Sequence, residues 1–313
     1  MKEFVLTIIL SFAGSFLLLY KLIPVSVNFG FCDNPAGDSL KIHKKPIPYT
    51  GGIGIYAAFL ITMGLFFSIF RYPLTREVMG IILCGGLIIA LGLWDDKQNV
   101  NPKLRLVLQI AISGITVMTS LVFFNASIFV LLPLLIVYLV GSINSVNLFD
   151  GLDGLAGGTV AISLAGLGYI FYLQDDFLYL SITFALLGAL LAFLVFNFNP
   201  ATVFLGDNGS TFLGYMLAIL AINTIRNGDN LLLLFLTVLF VGLPVVDTAF
   251  AIIRRAIKGR PIFVGDRSHI YDLMVINGLS IKQAVLLCYV LQSVIVYCGV
   301  LLWRSFHFVS GNN

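Results

Sequence analysis

The chain has 313 residues, 59% of them hydrophobic and only 11% charged, with a net charge of +3. A water-soluble domain carries about a quarter charged residues, so this chain lacks the polar surface to cover a globule in water. Its small positive balance gives no electrostatic footprint for a nucleic-acid partner.

Apolar runs long enough to span a bilayer, roughly 20 residues each, recur from end to end. In lipid every backbone polar group must be bonded within the protein, so spans are helices or closed barrels. The runs are continuous rather than alternating, which selects helices. Ten spans are expected, near 4–22, 52–70, 77–94, 105–123, 127–145, 159–174, 178–196, 209–225, 231–253 and 281–303. The first, Phe4 to Leu22, lacks a small-residue cleavage site and reads as a retained span. Cys32, Cys84, Cys288 and Cys298 are scattered without metal-like spacing and read as packing residues. Nothing in composition separates a second domain, so residues 1–313 form one membrane domain.

An even span count puts both termini on one side. One set of connections lies around 23–50, 95–104, 146–158, 197–208 and 254–280. With the span-edge residues Lys21, Arg105 and Lys282 it holds 13 of the 18 Lys and Arg. The opposite set holds Lys2, Arg71, Arg76, Arg226 and Arg304. The positive-inside rule makes the first set cytoplasmic, with both termini outside. Asp95, Asp96, Asp150, Asp153, Asp207, Asp266 and Asp272 then share the cytoplasmic face, and Asp247 sits in the inner half of the ninth span. Any one of them could cap a helix. Several Gly- and Asn-flanked clusters on one face point instead to a site.

Taken in chain order, the first constellation is Trp94-Asp95-Asp96-Lys97, followed by Lys103 and Arg105. Adjacent carboxylates repel unless a cation shares them. Magnesium takes few carboxylates and leaves room for substrate phosphates, which Lys103 and Arg105 would meet. The second is the stretch from Asn144 to Gly158, NSVNLFDGLDGLAGG. Asn147, Asp150 and Asp153 are three residues apart, so one helical turn would align them, and the glycines permit close backbone approach. The third is Asn197-Phe198-Asn199-Pro200-Ala201, then Val203-Phe204-Leu205-Gly206-Asp207-Asn208-Gly209-Ser210, which would also serve as a plain turn in which Ser210 could cap the eighth span. The fourth is basic: Arg254, Arg255, Lys258 and Arg260, then Asp266-Arg267-Ser268-His269-Ile270-Tyr271-Asp272.

With these residues in place, the chain resembles the polyprenyl-phosphate N-acetylhexosamine-1-phosphate transferases. Asp33-Asn34-Pro35, Lys41-Ile42-His43 and Pro46-Ile47-Pro48-Tyr49-Thr50-Gly51-Gly52 are similar to that family's opening loop. The acidic pair and the two later stretches follow in family order. The resemblance implies an all-α integral membrane protein of about ten transmembrane helices, lying in the inner membrane with its active site at the cytoplasmic face. It implies attack by a polyprenyl phosphate on a UDP-sugar with release of UMP, a Mg²⁺ cofactor that Mn²⁺ could replace, and allows a homodimer. By position it gives catalytic places to Asp95, Asp96, Asp207 and His269, with Asp96 handling the lipid-phosphate proton. Substrate-binding places go to Lys45, Lys103, Asn147, Asp150, Asp153, Asn197, Phe204 and Arg267. The metal ligands would be Asp207, Asp95 and Asp150. Many family members cluster histidines in the last large loop. Here His269 stands alone, with Tyr271 and Asp272 after it, which points away from the peptidoglycan enzyme and towards a surface-polysaccharide initiator.

Two other classes compete. A transporter also carries intramembrane carboxylates, but near the midplane rather than at one surface. Other Mg²⁺-dependent membrane transferases use helical Asp repeats, and no D-x-x-x-D occurs in this chain.

Overall fold

The structure, a computed structural model, describes residues 2–34, 45–120, 128–225, 232–259 and 269–310. Helix α1 (Lys2–Asn28) leads into strand β1 (Cys32–Asp33), which pairs antiparallel with β2 (Ile47–Pro48). There follow α2 (Gly51–Phe70), α3 (Arg76–Gln98), α4 (Pro102–Ser120), α5 (Ile128–Leu148), α6 (Leu155–Leu173), α7 (Phe177–Asn197) and α8 (Gly206–Asn223). The chain continues through α9 (Leu232–Val241), α10 (Leu243–Ile257), α11 (Ile270–Ile276) and α12 (Ile281–Ser310).

The protein is an all-α, multi-pass membrane protein. Seven of the described helices are long and apolar enough to cross a membrane, or eight if α9 and α10 count as one bent span. Helices α4 and α8 fall outside this set for a physical reason. Every residue of α8 from Asn208 to Asn223 is buried, against α2, α3, α5, α6, α7 and α9. Walled in by protein, α8 can open on Asp207 and Asn208 without exposing them to hydrocarbon. Helix α4 begins with Lys103 and Arg105 and buries Gln109, Ser113 and Thr116.

Small residues let the helices close on one another, as lipid-embedded bundles require. Along the α1–α7 seam the Ser11 hydroxyl donates to the Ala185 carbonyl at 2.5 Å and Ser15 to that of Ala189 at 2.9 Å. A Cβ at Gly188 would meet the Ile8 carbonyl at 2.5 Å. On the α7 side of the bundle, Asp176 caps its own helix by accepting from the Tyr179 amide at 3.1 Å.

Three expectations need correction. The ninth span is not one helix: α9 ends at Val241 and α10 leaves it at 92°. Gly242 makes the break at φ 67°, ψ −128°, and a proline follows two residues later inside α10. The buried Leu243 amide at the break donates to the buried Gln292 side chain at 2.8 Å, whose other end donates to Ser163 at 2.7 Å. Asp247 therefore lies on a bent-away helix. Second, the Asn147–Asp153 segment is not one helical turn. Helix α5 stops at Leu148 and α6 starts at Leu155, with Gly154 left-handed at φ 82°. Third, Ser210 does not cap α8. It sits in the second turn and donates back to the Gly206 carbonyl at 3.0 Å.

Candidate active site

The site forms where α3, α5 and α7 end and α8 begins. At the last turn of α3, Asp96 turns both carboxylate oxygens onto the N-terminus of α8. It accepts from the Asp207 amide at 2.8 Å, the Asn208 amide at 3.1 Å and the Asn208 side chain at 2.7 Å. A helix start leaves such N–H groups unpaired and carries positive partial charge, so Asp96 caps α8 from another helix. One turn earlier, a Cβ at Gly92 would overlap the Asp207–Asn208 backbone, which explains how α3 comes this close.

The N-terminus of α2 is seated in the same way. The Gly51 amide donates to the Phe204 carbonyl at 3.0 Å and the Gly52 amide to that of Leu205 at 3.1 Å, while the Phe204 amide donates to Pro48 at 2.7 Å. A side chain on Gly52 would run into Gly209. The Pro46–Gly52 and Val203–Ser210 motifs are thus two halves of one contact.

Asp207 projects from the first turn of α8. It accepts from the Asn147 side chain at 2.7 Å and lies 3.5 Å from Arg105. Arg105 is also paired with the buried Asp95, whose other oxygen accepts from the Val100 amide at 2.8 Å. The adjacent Asp95 and Asp96 therefore turn to different partners in the fold. Successive helical residues point about 100° apart, and each has its own partner.

In the α5–α6 turn, Asp153 accepts from the Asn199 side chain at 2.9 Å and the Ala201 amide at 3.0 Å. Asn197 bonds backbone at both ends, accepting from Gly154 at 2.9 Å and donating to Val203 at 2.9 Å. The half-buried Asp150 is different: its carboxylate has no hydrogen-bond partner among the described residues. Burial first, then the negative charge of Asp207, Asp96 and Asp153, pushes its carboxyl up to about 8. A cation at this position would have to compete with that proton.

These groups surround an open cavity of about 1110 Å³. Six of the ten described aspartates line it, a concentration that scattered helix capping would not produce. Nine of the twelve expected site residues are on its wall: Lys45, Asp95, Asp96, Asn147, Asp150, Asp153, Asn197, Phe204 and Asp207. Lys103 is exposed and off the wall, with its amide bonded to Asn101 at 2.9 Å. His269 is buried off the wall, its Nδ1 2.6 Å from Asp247. Arg267 lies outside the described residues, as do Lys41-Ile42-His43 and Asp266. Sequence reasoning overlooked Tyr49, Lys97 and Asn199 as wall residues, and Asp247 as the partner of His269. Tyr49, Lys97 and Asn199 each had a signal, since each lies inside a motif, and Asp247 lies in none.

Among the described residues no three carboxylate, thiolate or imidazole groups form a complete metal cage. Two carboxylates on one open wall suit Mg²⁺, which keeps waters and completes its shell with substrate phosphates.

Fold and site together define a polytopic membrane protein with an acid-lined, open cavity at one end of its helix bundle. Residues 78–225 match the family described as glycosyl transferase family 4. A Bacillus subtilis (strain 168) protein named probable undecaprenyl-phosphate N-acetylglucosaminyl 1-phosphate transferase is 31% identical, over 97% of this chain and 89% of its own length. Proteins named undecaprenyl-phosphate alpha-N-acetylglucosaminyl 1-phosphate transferase are also similar. That of Escherichia coli (strain K12) is 28% identical over 94% of this chain and 82% of its own. That of Salmonella typhi is 26% identical over 91% and 80%. The chain belongs to the polyprenyl-phosphate N-acetylhexosamine-1-phosphate transferases of glycosyl transferase family 4.

Proposed function

We propose that this protein transfers an N-acetylhexosamine-1-phosphate from a UDP-sugar to a polyprenyl phosphate and releases UMP. The observation that carries the reading is the gathering of six aspartates and Lys45 at one cavity of an otherwise apolar chain, with Arg105 paired behind it to Asp95 and Asp207. The family relationship narrows the chemistry. An oxygen of the lipid phosphate bonds to the donor's β-phosphorus. The bond from that phosphorus to the bridging oxygen breaks, and UMP leaves with the oxygen.

Asp207 and Asp150 would hold a divalent cation, Mg²⁺ or in its place Mn²⁺, which would neutralise charge on the donor diphosphate. Asp95 is assigned to holding Arg105 rather than to the metal, because both its oxygens are engaged. Arg105 then faces phosphate oxygens in a fixed pose, and exposed Lys45 supplies a second cation at the rim. Asp96 is assigned to anchoring α8, and so Asp207, rather than to proton transfer. A phosphate monoester with a second pKa of about 6 is mostly dianionic at neutral pH, so the lipid nucleophile needs no base. Asn147 fixes the Asp207 rotamer, and Asp153 and Asn197 brace the two loops that frame the donor pocket. The reading is tested by UMP release from UDP-N-acetylhexosamines in membranes that contain the protein. Release that needs added polyprenyl phosphate supports it, and release independent of the lipid counts against it.

The reading also requires ten membrane passes, with α9 and α10 forming one bent pass, both termini outside and the cavity opening to the cytoplasm of the inner membrane. In a cysteine-free background, Ser39→Cys and Asn99→Cys should be labelled by an impermeant thiol reagent only after permeabilisation. Asn312→Cys should be labelled in intact cells. The reverse pattern would invert the topology, and different accessibility at positions 39 and 99 would break the one-sided site.

A further inference from the structure

We propose that Asp247, His269 and Tyr271 form a buried stack that positions the Asp150 turn, so that His269 acts through this stack and not on the donor. Asp247 projects from α10 and accepts two bonds from the start of α11. One comes from the Ile270 amide at 2.7 Å and the other engages His269 Nδ1 at 2.6 Å. The His269 ring lies flat on Tyr271, with centroids 5.5 Å apart and planes 5° apart. Tyr271 in turn reaches the turn after α5. Its hydroxyl donates to the Leu148 carbonyl at 3.1 Å, and its ring meets Phe149 edge-on at 5.6 Å. A Cβ on Gly151 would overlap the Tyr271 ring, so the residues on both sides of Asp150 are pressed against this tyrosine.

Each link has a physical reason. The Leu148 carbonyl is at a helix end and has no helical partner, and Tyr271 supplies one. Asp247 can reach α11 only because the chain breaks at Gly242 and α10 turns away by 92°. Positions 243, 247, 251 and 255, four apart, are buried on that helix, which sets Asp247 inward while Val246, Phe250 and Ile253 face out. All three members of the stack are buried, and neither His269 nor Asp247 reaches the cavity wall. The Tyr271 phenol gives the stack its hold on the loop.

The proposal rests on the transfer reaction above, and its test separates the two. Asp247→Asn keeps an acceptor for the Ile270 amide and a partner for His269 Nδ1, but reverses which of the pair donates. If His269 only positions, Asp247→Asn stays within about threefold of wild type, because geometry survives; a proton-transferring histidine would lose orders of magnitude from the wrong tautomer. Asp247→Ala and His269→Ala should each lose about thirtyfold and Tyr271→Phe about fivefold, mainly through a higher KM for the UDP-sugar. The Asp247→Ala/His269→Ala double variant should be no worse than the poorer single one, as expected for members of one unit. Independently of turnover, amide hydrogen exchange over residues 149–154 should quicken in Asp247→Ala and His269→Ala. The proposal is overturned if Asp247→Asn falls as far as Asp247→Ala, if the double losses multiply, or if exchange over 149–154 is unchanged. Should Asp247→Ala not fold, Asp247→Asn and Tyr271→Phe still decide. Absence of turnover in the wild-type protein would refute the reaction, while the exchange result would stand on its own.

Discussion

Asp207→Asn should abolish turnover, by about a thousandfold or roughly 4 kcal/mol of transition-state stabilisation, while the protein stays folded in the membrane. The two halves of this expectation have separate causes. The backbone amide of residue 207 keeps its bond to Asp96, and an asparagine oxygen can still accept from Asn147. What is lost is the charge at the mouth of the cavity, and with it the cation and the alignment of Arg105. Chelation by EDTA should give the same loss without altering the fold. Activity within about tenfold of wild type, in the variant or in chelator, would defeat the metal assignment.

Gly92→Ala should produce the opposite pairing, with stability and activity lost together. The added methyl group would land on the Asp207–Asn208 backbone, not on a side chain that could swing aside. Overpacking costs about 1–3 kcal/mol where side chains can adjust, and this site belongs at the top of that range. Helices α3 and α8 must separate, which draws the Asp96 carboxylate off the two amides it holds and shifts Asp207. A lowered melting temperature in detergent with activity reduced by at least about tenfold is the expected result. Normal stability and normal turnover would mean that the α3–α8 approach is looser than described.

The contrast marks what the sequence could and could not disclose. The long apolar runs and the Gly- and Asn-flanked aspartates were legible, because hydropathy and local motif chemistry are written in consecutive residues. The partners of those aspartates were not. Asp95 and Asp96 are neighbours in the chain, but one holds Arg105 and the other the start of α8, 111 residues away. Capping by a distant helix has no local signature. The α9–α10 bend had a weak one, since Gly242 and Pro244 interrupt an apolar run, but continuous hydropathy outweighed it. The helical alignment assumed for Asn147, Asp150 and Asp153 failed because Gly151 and Gly154 release the chain from the helix. The Asp150 carboxylate is left without a hydrogen-bond partner among the described residues, while its amide donates to the Asn147 carbonyl at 3.2 Å. His269 and Asp247 lie 22 residues apart, and only the bend at Gly242 brings them together.

The most direct test of the central claim follows the two phosphorus atoms of the donor. A UDP-N-acetylhexosamine labelled separately at the α- and β-phosphate is supplied with polyprenyl phosphate, Mg²⁺ and the purified protein. Phosphoryl transfer predicts that the β label moves to the lipid fraction while the α label is recovered as UMP, in equal amounts and in step with time. Recovery of both labels in UDP, with sugar alone on the lipid, would show that the sugar–oxygen bond breaks instead and would contradict the account.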